Sequence, residues 1–538
     1  MSIPLLKVIP AGAGSGKTYT IQKTIAQWID KEYVRSDRIV AVTFTETAAA
    51  ELKQRISAEL IENNKLEEAR KLEQSYISTI HGFGMRLVTE FAFDAGISPS
   101  PRLLNEDEQK EIIKKALTNT KRAEEITQSL SDFGYTFDFI SKKSGEDIFR
   151  ASVLNAVNLL RSLGWSSKRK SLVEDAKQWL IHASPEVETN ETWLNKSLHS
   201  AVIALLEKFP DSLADDFGVN KAAKDDFIDN FSDLVKAKDI SRLEADWKLW
   251  RRLQTIRIKV NGVKLPEDYI SLAEAVMTAA ENLRIHPGPL AHEVTHISGL
   301  LGAAEEVLER YEKSKRDAGL VDYTDMIAMA VSLLDTCNHV FEALRKRIDC
   351  AIVDEFQDTN PLQFSLVWML TAAGIPTLIV GDVKQAIMGF QGADPRLFDS
   401  VQEANNDVLE PLDKNWRTQR PLMEFLNDIS AGLFPEKYQR LTPKVPPTNL
   451  KPLSVVEFDG KTKKGTSKAL WYASHIVDQV NSLLTDSNTQ VKDRNTEEMR
   501  QIVASAIALL APTHTLLTTY RDVLAAYGIR ANIQQSGW

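Results

Sequence analysis

Two clusters of residues in this chain have the types and spacing needed to work on a phosphoanhydride. Ala11-Gly12-Ala13-Gly14-Ser15-Gly16-Lys17-Thr18 follows a short β-rich run, Leu5 to Ile9, and precedes helical periodicity from Tyr19 to Ile29. Glycines in such a loop let backbone N–H groups turn inward around phosphate oxygens, and the helix N-terminus behind them adds positive dipole. Lys17 can then reach β- and γ-phosphates, and Thr18 can hold magnesium. The second cluster is Asp354-Glu355, directly after the apolar run Cys350 to Val353. A nucleotide-binding sheet presents its second acidic site at such a strand end, with Asp354 as magnesium ligand and Glu355 as general base for an attacking water. An Asp-Glu pair after a strand also serves as an ordinary helix N-cap, and the phosphate loop upstream favours the catalytic reading.

The elements that must position these residues read as a parallel α/β sheet. A second strand, Arg38 to Phe44, leads into an Ala- and Glu-rich helix from Thr47 to about Asn63, and a further apolar strand runs from Thr377 to Val380. From about Glu106 to Ala318 the strand signal fades into helices rich in Leu, Ala, Lys and Glu, expected as a helical insertion. Within it, a basic stretch interleaved with tryptophans, Lys236 to Lys264, suits phosphate contacts but reads first as a solvated helix face; Lys168-Arg169-Lys170 has less claim. Thr442 to Pro447 and Gly460 to Lys468 read as loops, and Ile507 to Ala511 through Ile529 to Ile533 as a closing strand-helix-strand unit.

Length and composition set the frame. A chain of 538 residues predicts two to four domains. A formal charge of −9 argues against coating nucleic acid by bulk basicity, so any nucleic-acid track is a local groove. Two cysteines, Cys337 and Cys350, exclude a disulfide framework and a cysteine-based metal site. Met1 to Pro10 lacks a signal-peptide pattern and no run of about 18 apolar residues occurs, which predicts a cytoplasmic protein with no membrane partner.

Asp354-Glu355-Phe356-Gln357-Asp358-Thr359 resembles the signature of superfamily 1 DNA helicases of the UvrD/Rep type, which include RecB/AddA-like chains. Other segments resemble the family's motifs in order: Thr43 to Arg55 its motif Ia, Ser78 to Phe83 its Thr-Ile-His-Gly-Phe element, and Asp322 to Met326 the acidic-aromatic segment. Val380 to Asp394 is similar to motif III, and Asn415-Trp416-Arg417-Thr418 to motif IV. The resemblance implies a RecA-like phosphate-loop NTPase fold using ATP and Mg2+, with Ala11 to Thr18 holding the nucleotide and Trp416 stacking on adenine. Gln385 would couple the γ-phosphate to DNA, and Arg417 would stabilise charge on the transferring group. Phe44, Thr45, His81 and Phe390 would line a single-strand track, where aromatic faces accept any base. Motif III departs from the family pattern at Ala386, Met388 and Gln391, which stand where Ser, Tyr and Arg are usual, and this predicts an altered DNA grip.

The domain reading that follows is 1–105 as the first part of motor domain 1A, 106–318 as a 1B-like helical insertion, 319–413 as the second part of 1A, and 414–538 as the beginning of a second RecA-like domain, 2A. No segment like motif V or VI is found, so the chain is expected to be a fragment or to borrow its missing half from a partner. The activity implied is a 3′–5′ DNA helicase or translocase in repair, recombination or phage defence, acting on single strands and single/double-strand junctions, nucleoid-associated when on DNA. The alternative is an ATP-gated DNA-binding module, or an incomplete motor that needs a protein partner to supply unwinding or nuclease functions.

Overall fold

Five short aliphatic runs make the central sheet: β1 (Leu6–Pro10), β2 (Ile39–Thr43), β3 (Tyr76–Thr79), β4 (Cys350–Val353) and β5 (Thr377–Gly381). The computed structural model describes residues 3–533 except 118–119, 122–123, 140, 165–171, 211–220, 260–264, 437, 446–450, 456–467, 487 and 493–497. The strand order is β1-β5-β4-β2-β3, all parallel, with Ile9 opposite Val380, Ile379 opposite Val353, and Thr43 opposite Thr79. Beyond β1 the Leu409–Leu412 segment runs alongside, Glu410 and Leu412 donating their N–H groups to the Val8 and Pro10 carbonyls, both at 3.0 Å.

Three helices follow the first three strands: α1 (Lys17–Asp30), α2 (Glu46–Glu62) and α3 (Ile80–Glu90). The first starts two residues before its apolar periodicity, because Gly16 in the left-handed region turns the chain directly into it. Thr45 starts the second by accepting the Ala48 N–H on its hydroxyl at 3.1 Å. Between Glu106 and Ala318 the described residues form helices and connecting turns around two apolar cores. One core includes α4 (Gly145–Ser162) and the far half of α5 (Pro287–Ala318), through Val153, Val157, Val307 and Tyr311. At 1.5 Å per residue, α5 is about 48 Å long and returns the chain to the sheet. A two-residue parallel ladder, Arg102–Leu103 with Leu320–Val321, ties the entrance of this region to its exit.

The chain then forms α6 (Tyr323–Thr336) and, after β4, α7 (Pro361–Ala372). One sheet face, with Val8, Val42, Val353 and Ile379, packs on α3, α6 and α7; the other, with Ile9, Ala41, Ile352 and Val380, packs on α1 and α2. Burial of both faces explains why these strands read as unbroken apolar runs rather than as alternation.

After the sheet come β6 (Lys414–Gln419), α8 (Arg420–Leu433) and β7 (Thr442–Val445). The last corrects the sequence expectation of a loop. β7 pairs in parallel with β6, and the buried Asn427 side chain pins its start, donating to the Leu441 carbonyl and accepting the Leu441 N–H, each at 3.0 Å. Residues 460–467 of the second expected loop lie outside the described residues, and Lys468 already begins α9 (Lys468–Thr485). The closing strand-helix-strand unit needs correction too: α10 (His514–Ala526) forms, but neither flank joins a ladder among the described residues. Ile507, Leu509, Ile529 and Ala531 lay alternate side chains on Val477, Val480 and Leu524, while Leu510, next after Leu509, is 93% exposed. Among the described residues no single helix is long and apolar enough to cross a membrane.

Candidate nucleotide site and its neighbours

All five strands end on one edge of the sheet, and the loops leaving that edge carry most of the residues singled out by chemistry. The Ala11–Gly16 loop leaves β1, Phe44 and Thr45 leave β2, His81 lies one residue into the helix after β3, Asp354 and Glu355 leave β4, and Asp382 to Gln385 leave β5. Parallel strands joined by helices put every such loop at the same end, which is why residues hundreds of positions apart meet.

In the loop after β1, Gly14 and Gly16 take φ of 75° and 89°, in the left-handed region that side chains resist. Ser15 donates its N–H to the Gly12 carbonyl at 3.1 Å, and its buried hydroxyl has no hydrogen-bond partner among the described residues. Lys17 reaches across to Glu355, Nζ to Oε2 at 2.5 Å. Thr18 is half-buried in the first turn of α1.

Glu355 is held by geometry as well as by charge. Its φ is 52°, an uncommon conformation for a side-chain-bearing residue, and Gln357 donates Nε2–H to the same Oε2 at 2.7 Å. Gln357 also accepts the Asp382 N–H on Oε1 at 2.9 Å, which links the ends of β4 and β5. Asp354 accepts the Glu355 N–H at 3.0 Å, and burial together with the neighbouring Glu355 charge pushes its carboxyl up to about 6. A carboxyl so short of compensating charge suits a divalent cation, and the turned glycines with the unpartnered Ser15 hydroxyl suit phosphate oxygens. The residues present therefore fit a magnesium-bound nucleoside triphosphate.

Gln385 donates Nε2–H to Asp382 Oδ2 at 2.7 Å, and Lys384 pairs with Asp382 Oδ1 at 2.6 Å. The strand β6 closes over the phosphate loop. Asn415 donates Nδ2–H to the Ala13 carbonyl and Trp416 its N–H to the Gly14 carbonyl, both at 2.8 Å. Arg417 lies against Gly14, where an added Cβ would come within 2.8 Å of the Arg417 Cβ, and the Trp416 ring, 62% exposed, leans over Gly16. Gln385 and Arg417 also line a cavity of about 500 Å³ beside the loop, walled by Leu412, Met423, Leu426 and Leu441.

The four residues expected at a strand track stand on three separate segments. Phe44 and Thr45 follow β2 beside the start of α3, where Thr79 donates its hydroxyl to Glu46 at 2.8 Å. His81 meets Tyr323 edge-on, with ring centroids 5.8 Å apart, and burial pulls its imidazole down, towards the neutral ring. Phe390 stands on the separate Gly389–Gln391 turn, 77% exposed, beside Ile387 at 75%. Met388, at a position where the resemblance expects an aromatic, is buried. In the helical region Trp250 is buried, and Lys236 and Arg252 are held by Asp233, so part of the basic stretch serves internal packing. Lys264 and the Lys168-Arg169-Lys170 cluster lie outside the described residues.

Asn415, Gln357 and Asp382 organise the loop and the acidic strand end but form no chemical pattern of their own in the sequence. Their presence inside the recognised motifs was the only signal for them.

A sequence model of the UvrD/REP helicase N-terminal domain matches residues 6–406. Similar proteins include an ATP-dependent helicase/nuclease subunit of Latilactobacillus sakei, 22% identical over 98% of this chain and 66% of that protein. The proteins of the same name from Lactobacillus acidophilus and Lactobacillus gasseri are 25% and 23% identical, over 79% and 94% of this chain and 39% and 47% of theirs. The chain thus spans between 39% and 66% of the length of these relatives. With its phosphate loop, acidic strand end and motif order set on one sheet edge, the chain belongs to the UvrD/REP helicase family.

Proposed function

We propose that this chain is an ATP-hydrolysing DNA motor, working in repair or recombination and moving 3′ to 5′ along single-stranded DNA. The observation that carries this reading is the Lys17–Glu355 contact at the mouth of a glycine cradle, with Asp354 beside it. Lys17 and the loop N–H groups would hold the β- and γ-phosphates, and Thr18 and Asp354 would hold magnesium. Bound magnesium supplies charge neutralisation on the phosphoryl oxygens. Phosphates arriving at Lys17 compete with Glu355 for its ammonium, freeing the carboxylate to orient and deprotonate water. Gln357 keeps that carboxylate aimed, Arg417 offers a permanently charged planar donor, and Trp416 offers a ring for the base. Gln385, bonded to Asp382 just after β5, lies in the sequence between that strand and the turn bearing Phe390.

The name the relatives share, that of a helicase/nuclease subunit, supports DNA as substrate and a second protein that completes a helicase/nuclease assembly. The test is phosphate release from Mg·ATP with and without oligothymidylate, followed by unwinding of duplexes tailed on the 3′ or the 5′ side. Stimulated hydrolysis with 3′-tail preference supports the reading; hydrolysis indifferent to DNA contradicts it. The second reading, an ATP-gated DNA-binding module, draws on the buried Met388, which leaves Phe390 as the one aromatic of this turn facing solvent. It predicts nucleotide-dependent DNA binding without unwinding.

A further inference from the structure

The last turn of α4 lies in the helical region, yet three of its neighbouring residues touch three different segments of the motor domain. Arg161 forms a buried ion pair with Asp322. Asp322 Oδ1 also accepts the Thr324 and Asp325 N–H groups, at 2.9 and 3.1 Å, so it sets the start of α6. Its Oδ2 accepts the Tyr311 hydroxyl at 2.6 Å and Lys315 Nζ at 2.8 Å, both from α5. The first residue of α6 is Tyr323, whose ring meets His81.

The next residue, Ser162, lies against Gly392, where an added Cβ would come within 2.3 Å of the Ser162 hydroxyl oxygen. Gly392, at φ +82°, closes the turn that carries Phe390. Two residues further on, Gly164 fits against Leu362 of α7, with 2.9 Å between an added Cβ and Leu362 Cδ1. The Phe390 loop is in turn tied to the acidic strand end, since Asp394 donates its N–H to the Thr359 carbonyl at 3.1 Å and Ile387 to Asp358 Oδ1 at 3.2 Å.

We infer that Arg161 and Ser162 are positioning residues, which set the His81–Tyr323 pair and the Phe390 turn relative to one another across the strand track. The inference rests on the reading of His81 and Phe390 as DNA contacts. Buried ion pairs add little net stability compared with apolar packing, but they fix geometry: Arg161 and Lys315, from two helices of the insertion, converge on the Asp322 carboxylate that caps α6, and Lys315 also pairs with Asp325 in its first turn. Ser162 does the same for the loop by filling space that only a glycine at position 392 leaves open.

The test uses the full chain with Arg161→Met, Arg161→Lys and Ser162→Val, beside Phe390→Ala and His81→Ala. Thermal melting, the KM for ATP, the DNA-independent rate, and the oligothymidylate concentration giving half-maximal stimulation are measured for each. Arg161→Met and Ser162→Val are expected to raise that concentration roughly threefold to thirtyfold, with the KM for ATP and the DNA-independent rate unchanged, and Arg161→Lys to recover part of the loss. The inference is overturned if both leave DNA activation unchanged while Phe390→Ala and His81→Ala weaken it. It is overturned too if ATP affinity falls in step with DNA activation in all three variants, the mark of a general loss of fold. If Phe390→Ala and His81→Ala change nothing either, the track reading itself fails and takes the inference with it.

Discussion

At the residue scale the decisive side chain is Glu355, strained at φ 52° and held between Lys17 and Gln357. Strain at a candidate base is retained when its surroundings over-determine it, and here two hydrogen-bond donors do so. Lys17→Ala should weaken nucleotide binding by about 1.5–3 kcal/mol, the worth of a hydrogen bond to a charged group, in a titration with a fluorescent ATP analogue. Unchanged affinity would remove Lys17 from the phosphate site. Phe390→Ala should weaken oligothymidylate binding by about 1–3 kcal/mol, read by fluorescence anisotropy; no change would leave the ring without a stacking role. The meeting of Lys17, Asp354 and Glu355 at one sheet edge was legible in the sequence because each sits in a short local pattern directly after an apolar strand. Asn415 and Gln357 were not, because their work depends on partners 402 and 25 residues away, Ala13 and Asp382.

At the element scale, β6 closes over the loop after β1. Gly14→Ala would bring a Cβ within 2.8 Å of both the Arg417 Cβ and Asn415 Nδ2, at a φ of +75°. The variant should lose nucleotide affinity without loss of the sheet, as followed by nucleotide titration and far-ultraviolet circular dichroism; wild-type affinity would show that the closure has no bearing on binding. The start of α6 gives a pH dependence. Against the upward push of burial, the Arg161 and Lys315 charges hold the Asp322 carboxyl below its ordinary 3.8. A depressed carboxylate stabilises the fold above about pH 4 and loses that contribution as pH falls through its lowered value. Asp322→Asn should therefore cost stability at neutral pH, with a gap from wild type that narrows in acid; a gap independent of pH would deny the linkage. The central strands were readable from aliphatic runs bounded by glycine and acidic residues. β7 was not, because Thr442-Pro443-Lys444-Val445 carries turn-forming composition and is made a strand by Asn427 and by its pairing with β6. The segments flanking α10 failed in the opposite sense, having strand-like patterns but no ladder to join among the described residues.

At the scale of the whole molecule, a helical region lies between β3 and β4 in sequence and returns to the sheet through α5, so its helices contact the loops of the edge that carries the candidate site. Local patterns identified the sheet and the helical character of the insertion, while the contacts of Arg161 and Ser162 with Asp322 and Gly392 join residues far apart in the chain and leave no mark in either neighbourhood. A net charge of −9 is compatible with DNA binding when recognition is confined to a local groove. The decisive experiment is phosphate release from Mg·ATP in the presence of oligothymidylate, for the wild-type chain and Glu355→Gln, with nucleotide affinity measured on both. DNA-stimulated hydrolysis is expected to fall by roughly a hundredfold or more in Glu355→Gln while ATP binding is retained. Equal hydrolysis by the two proteins would contradict the assignment of Glu355 and the mechanism built on it.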